Sequence, residues 1–285
     1  MNTTTIATQL FGLNGPAVTR VGLGGEGILR THGQEPEATA VIEEAIRSGI
    51  TYFDCAQAYA GSEGYYGRIW SAQPETRHQI FQASKSASRT KEGALADLEH
   101  TLGTMALDYL DIWQIHDVRT EEDLHSIAGR GGALEAFLHA KASGKVRFIG
   151  VTGHHDPVIL TRAVREWPVD AVMMPVNPVE GALGGFLDTT LPAAREKGIA
   201  VIAMKVLGAS HFLSPQTGVT AEVLIRFALS QPITVAIIGC STPDHVRTLA
   251  RVGSTFQPLS AEENDQLVEL YRPYAKQLAF YRGRF

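Results

Sequence analysis

Short runs of apolar and β-branched residues alternate with longer stretches in which apolar positions recur every three or four residues, and the alternation persists almost to the C-terminus. The short runs lie at 21–25, 51–56, 80–85, 109–116, 148–153, 171–177, 200–207 and 234–240. Helical periodicity covers 37–48, 63–72, 91–102, 132–143, 157–166, 187–197, 221–230 and 243–250, with Gly49, Gly103, Gly144 and Gly198 at helix stops. Runs that are apolar throughout predict strands buried on both faces, hence a parallel sheet. Eight strand–helix repeats match the closing number of an α/β (β/α)8 TIM barrel.

Two segments fall outside that repeat. Residues 9–20 carry Asn14-Gly15 between β-prone flanks and predict an N-terminal β-hairpin that could plug the barrel floor. After Leu259, Ser260-Ala-Glu-Glu is a helix-start signature, so a C-terminal helix to about Tyr271 is expected, followed by a tail. The stretch 119–131, with its acidic run and Gly129-Arg130-Gly131-Gly132, reads as a solvated loop. No linker or compositional shift divides the chain, so residues 1–285 are expected to form one barrel domain.

Composition narrows the function. With 44% hydrophobic and 19% charged residues in 285, the chain has material for a core and lacks the signature of disorder. Net charge is -5 and no basic block occurs, so nucleic acid is not expected as a partner. Two isolated cysteines, Cys55 and Cys240, cannot supply a disulfide framework or a four-ligand zinc site. The first residues do not form a secretory leader, and no run of about 20 apolar residues marks a membrane span, so a cytoplasmic setting is expected.

Gly22-Leu-Gly24-Gly-Glu-Gly27 satisfies G-x-G-x-x-G after a strand, which would suggest a Rossmann phosphate loop. In that fold the glycines open a helix directly, whereas helical pattern here resumes only near Glu35-Pro36. A glycine-lined strand end that lets backbone approach a ligand is the better reading.

Catalytic groups of such barrels sit at the C-terminal ends of strands. Asp54 ends the second run with Tyr59 just beyond it, Lys85 ends the third, and His116 ends the fourth. Each alone has an ordinary structural explanation, but ionisable groups closing three successive apolar strands do not look like packing, since a buried unpaired ion costs several kcal/mol. Together they can deliver a proton to a carbonyl oxygen. A lysine ammonium beside a phenol lowers its pKa, an aspartate holds the ammonium, and a histidine polarises the carbonyl.

The segments FDCAQAY, GSEGYYG, ASK, YLDIWQIHD, FIGVTG, IAMKVLG and IIGCSTPDHV, in that order between Val21 and about Leu249, resemble the successive signatures of the aldo-keto reductases. The resemblance implies an NAD(P)H-dependent oxidoreductase that reduces an aldehyde or ketone, a small-molecule carbonyl substrate, by hydride transfer. The family tetrad maps onto Asp54, Tyr59, Lys85 and His116, with Tyr59 as general acid. On the cofactor side, the usual Ser-Asn reads Thr152-Gly153, the usual Gln falls at Met173, and the stacking aromatic is replaced by Met204. Lys205 and Leu207 follow, while Gly24, Gly25 and Gly239 line the strand ends. Ser241, Thr242 and Arg247 surround a helix start suited to phosphate. NADP(H) is favoured as cofactor, with NAD(H) possible.

Two other readings remain at this stage. His154-His155-Asp156 raises a metal-dependent hydrolase on the same barrel, although no third ligand is visible. A cofactor-binding regulatory protein with slow turnover is the other. The substrate pocket, lined by residues 26–32, 209–218 and 274–285, is expected to be apolar and rimmed by aromatics.

Overall fold

The computed structural model describes residues 5–283. A two-stranded antiparallel hairpin, β1 (Thr8–Leu10) and β2 (Ala17–Thr19), precedes a closed barrel of parallel strands. The barrel strands are β3 (Val21–Gly27), β4 (Tyr52–Asp54), β5 (Phe81–Ser86), β6 (Leu110–Ile115), β7 (Val146–Thr152), β8 (Ala171–Pro175), β9 (Ala200–Met204) and β10 (Val235–Cys240). They pair in sequence order, and β10 closes onto β3. The fold class expected from the hydrophobic pattern is therefore the observed one, hairpin included.

The helices are α1 (Glu35–Arg47), α2 (Ser62–Ala72), α3 (Lys91–Met105), α4 (Glu121–Ala128), α5 (Ala133–Ala142), α6 (Pro157–Glu166), α7 (Pro178–Leu183), α8 (Leu191–Lys197), α9 (Ala221–Ser230), α10 (Pro243–Ser254), α11 (Ala261–Tyr271) and α12 (Ala275–Leu278). Three departures from expectation have physical causes. The stretch 119–131 is not a loop: α4 forms there, with Thr120 Oγ1 accepting from Asp123 N at 3.1 Å and the Asp123 carboxylate accepting from Thr120 N at 3.3 Å. Its acidic first turn looked solvated, but Leu124 and Ile127 are buried beneath it. The short α7, capped by Asn177, was too brief to show a period. The helix expected over 187–197 begins as a π turn, Phe186–Thr190, because Pro192 has no N–H for a regular helical bond.

Two apolar layers position the site. The outer one packs strand residues such as Leu23, Phe53, Trp113 and Val172 against the helices. The inner one fills the barrel, and its floor is aromatic: Phe11, beyond β1, lies 4.5 Å from the Phe81 ring and 5.3 Å from that of Phe148, with Tyr52 and Phe81 stacked at 5.3 Å. Because side chains alternate along a strand, residues two or four positions after these floor aromatics point inward near the opposite mouth. Asp54 and Lys85 occupy those positions.

Among the described residues, no helix is long and apolar enough to cross a membrane.

Candidate active site

Asp54 and Lys85 are buried side by side at the top of β4 and β5. The Lys85 ammonium donates to Asp54 Oδ2 and to the Cys55 carbonyl, both at 2.7 Å. Burial alone would lower the Lys85 pKa, but the facing Asp54 carboxylate and Tyr59 push it up to about 12. Burial pushes the Asp54 carboxyl up, and the ammonium pulls it back.

Tyr59 lies over this pair, its ring centroid 4.6 Å from Lys85 Nζ and 5.5 Å from the His116 ring. Gly25 makes room for it: a Cβ there would come within 2.7 Å of the ring. The Tyr59 pKa is raised, not lowered as its lysine neighbour led us to expect, because burial outweighs the opposing effect of the ammonium. The phenol therefore keeps its proton at neutral pH. His116 follows β6, and burial together with Lys85 lowers its pKa to about 3, so its imidazole is neutral. The structure thus brings all four sequence-predicted groups to one mouth.

Tyr59 stands between two adjoining cavities of about 490 Å³ each. The first runs along the ends of β3 and β10 and is lined by Gly24, Gly25, Gly239 and Ser241, by Met173, Met204, Lys205 and Leu207, and by Asp54. Gly24 faces neighbouring backbone so closely that an added Cβ would lie 3.0 Å from the Ile238 carbonyl carbon. Lys205, at φ 55, lines both cavities.

Three expected cofactor residues are placed differently. Gly153 lines neither cavity: it packs against the Val118 carbonyl and Leu160, where a Cβ would come to 3.0 Å and 3.2 Å. Thr242 is the N-cap of α10, its hydroxyl accepting from His245 N at 3.3 Å, and it does not line the cleft. Arg247 is exposed and already paired with Glu44, at 3.1 Å, and with Asp244. Thr152 lines the second cavity instead, and its hydroxyl accepts from Asp117 N at 2.8 Å.

The second cavity is not the apolar chamber expected from the sequence. His116, Arg89, Asp117, Arg119, Asp123 and His154 surround it, with Glu26 and Arg30 shared with the first. Arg89, Asp117, Arg119 and Asp123 were missed because they lie beyond the ends of β5 and β6, in segments with no strand period to place them. His154 alone had a signal, lying two residues beyond the inward-facing Thr152. Residues 284 and 285 of the expected tail lie outside the described residues, whereas Phe280 lines the first cavity. No three His, Cys, Asp or Glu side chains among the described residues could together hold a metal ion.

Comparison with known proteins identifies the family. The family model for the aldo/keto reductase family matches residues 20–218. The chain is 30% identical to L-galactose dehydrogenase of Arabidopsis thaliana over 223 residues, 72% of this chain and 66% of that protein. It is 26% identical to a probable aldo-keto reductase of Glycine max, covering 71% of this chain and 60% of the other. The matched part is thus less than two thirds of the length of either relative. Among solved structures, an aldo-keto reductase from Klebsiella pneumoniae in complex with NADPH superposes with a TM-score of 0.76 at 23% identity, covering 94% of this chain and 95% of that one. The holo form of an aldo-keto reductase from Bacillus halodurans gives 0.76 at 19% identity, with 96% of both chains covered. With the family model spanning most of the barrel, the chain belongs to the aldo/keto reductase family.

Proposed function

We propose that this protein is an NADP(H)-dependent oxidoreductase that reduces an aldehyde or ketone to the alcohol, with Tyr59 as the proton donor. The observation that carries the reading is the convergence of Tyr59 on the buried Asp54–Lys85 pair and on neutral His116, between two cavities.

The first cavity fits a dinucleotide, since the strand ends at Gly24, Gly25 and Gly239 line it and Lys205 and Ser241 offer phosphate contacts. Met173 and Met204 supply polarisable surface for the nicotinamide. The cofactor supplies the hydride. NADPH and NADP complexes of the Klebsiella relative favour the phosphorylated form.

The residues of the chain do the rest. Neutral His116 hydrogen-bonds the substrate oxygen without competing for its charge. The Tyr59 phenol, protonated at rest, gives its proton to that oxygen as negative charge develops there. Lys85, held charged by Asp54, then stabilises the resulting tyrosinate. Burial raises the pKa of the resting phenol, and the ammonium opposes that rise.

Titration of NADPH and NADH by cofactor fluorescence, followed by a carbonyl panel, tests the reading. Tyr59→Phe should lower carbonyl turnover by at least ~10²–10⁴-fold with little change in NADPH affinity. A variant retaining more than about a tenth of normal activity would defeat the assignment of Tyr59 as acid.

A further inference from the structure

Proton donation as described above leaves a second cation at Tyr59 without a role. Arg30 follows β3, and its guanidinium carbon stands 4.9 Å from the Tyr59 ring centroid, nearly as close as Lys85 Nζ at 4.6 Å. It lines both cavities. Its partner is Glu26, four residues back, whose Oε1 accepts from Arg30 Nη1 at 2.6 Å, and both side chains are half-exposed.

The backbone fixes where Arg30 can reach. β3 ends at Gly27, whose φ of 71 and whose closeness to the Cys240 carbonyl oxygen, 2.6 Å from where a Cβ would stand, suit glycine alone. A short 3-10 turn, Ile28–Arg30, follows, with Leu29 buried. The next residue ties this turn to the loop that carries Tyr59. The Thr31 carbonyl accepts from Gly61 N at 2.9 Å and from the Tyr65 hydroxyl at 3.0 Å, and Gly61 lies two residues beyond Tyr59. The supports of the cation and of the phenol are therefore one hydrogen-bonded unit.

We propose that Arg30 is a positioning residue for the acid, a second cation that shares with Lys85 the charge left on Tyr59 when its proton goes to the carbonyl oxygen, and that Glu26 limits its effect. This rests on the reading of Tyr59 as the acid given above. A cation over an aromatic ring is attracted to its electrons, and a phenolate offers it a full charge. Next to burial, which raises the Tyr59 pKa, Lys85 lowers it, Asp54 and Glu26 raise it, and Arg30 lowers it. The phenol thus faces two ion pairs, one buried and one half-exposed. The His116 ring lies 5.5 Å away, and Lys205 lines the same two cavities. On the wall of the second cavity, Arg89 is paired with Asp123 and Arg119 with Asp117, beside His154. All of these stay as they are when Arg30 or Glu26 is replaced.

Tyrosine isotopically labelled at Cζ reports the Tyr59 phenol by NMR without any substrate, its signal assigned by its loss in Tyr59→Phe. Arg30→Gln should raise the midpoint of the Tyr59 titration by about half a pH unit, the size of one exposed cation–π contact, and lower kcat/KM for propanal with NADPH by roughly two- to fivefold. Propanal is neutral and has no group for Arg30 to bind. Glu26→Gln keeps an oxygen for Arg30 and loses the charge, so the midpoint should fall by a similar amount. Arg30→Lys should restore most of the wild-type value, and the double variant Glu26→Gln, Arg30→Gln should lie near it, because two opposed charges leave together. Single variants that move the midpoint in the same direction, as a general loosening of the turn would, overturn the proposal. So does a midpoint that stays put while NADPH affinity falls, which would make Arg30 a cofactor contact, and so do shifted midpoints with unchanged propanal turnover. Midpoints that move as expected in a protein that binds NADPH and reduces no carbonyl compound would instead remove the carbonyl-reductase reading and leave the charge balance at Tyr59 standing.

Discussion

At the residue scale, the site combines two ionisable groups whose environments drive them in opposite directions, and both leave a mark on stability. His116 falls from an ordinary 6.5 to about 3 on folding, so between these values the unfolded chain binds more protons than the folded one. Its contribution is present above pH 6.5 and is lost as pH falls toward 3. Lys85 rises from 10.5 to about 12, so its contribution is complete below pH 10.5 and is lost as pH rises through 12. Melting temperatures of the wild type and His116→Gln between pH 7 and pH 4 should diverge, with the variant flatter across the acid window; parallel curves would show that His116 is not held neutral by the fold. Lys85→Met should abolish turnover nearly as fully as Tyr59→Phe, because the tyrosinate loses its counter-charge. It should also lose more stability at pH 8 than at pH 5, since it strands the buried Asp54 carboxylate, and equal losses at both would argue that Asp54 is neutral.

At the element scale, two glycines of α2 look alike in the sequence and differ in space, since only one of them faces α3. A Cβ at Gly67 would lie 2.0 Å from the Thr104 carbonyl oxygen, whereas one at Gly64 in the same helix meets nothing within 4 Å. Gly64→Ala should therefore raise stability by about 0.5–1 kcal/mol through helix propensity. Gly67→Ala should lower it by roughly 1–3 kcal/mol through overpacking against backbone. Thermal or urea unfolding of the two single variants decides the matter, and a shared sign would mean that the helices can part. The same contrast explains what was legible beforehand. Strand runs and amphipathic helices announce themselves by period, and so the barrel and the strand-end positions of Asp54, Lys85 and His116 were readable. Close approaches are not periodic. Gly153 packs against Val118 and Leu160, Arg247 pairs with Glu44 and Asp244, and α4 hides two buried residues in a polar run; each depends on a neighbour distant in the chain. The polar second cavity was unreadable for the same reason, since its walls come from loops whose paths only the folded barrel defines.

At the scale of the whole molecule, the end of the described chain returns to the mouth of the barrel and ties its two cavities together. Glu180 on α7 is fully buried and is paired with Arg282, whose Nε lies 3.1 Å from Oε1, while Tyr281 OH donates to Oε1 at 2.8 Å. Asn177 Nδ2 donates both to Tyr281 OH, at 3.1 Å, and to the Lys205 carbonyl, at 3.0 Å. Phe280 lines the first cavity, and the Tyr281 carbonyl orients His154 in the second. One buried ion pair thus secures a segment that bears on both cavities. Burial pushes the Glu180 carboxyl up, and the bonds from Arg282 and Tyr281 oppose it. Arg282→Met should therefore strand a buried carboxylate, a loss of about 3–5 kcal/mol if the tail remains docked and less if it detaches. The loss should grow from pH 5 to pH 8, because protonation relieves the unpaired charge at the acid end. Adding Glu180→Gln should recover much of it, since the neutral amide no longer needs a counter-ion. If the tail detaches, limited proteolysis should cut after residue 271 in Arg282→Met and spare the double variant, and NADPH affinity should fall several-fold as Phe280 leaves the cleft. A single variant with wild-type stability at pH 8, wild-type NADPH affinity and an uncut tail would show that the pair is incidental to closure.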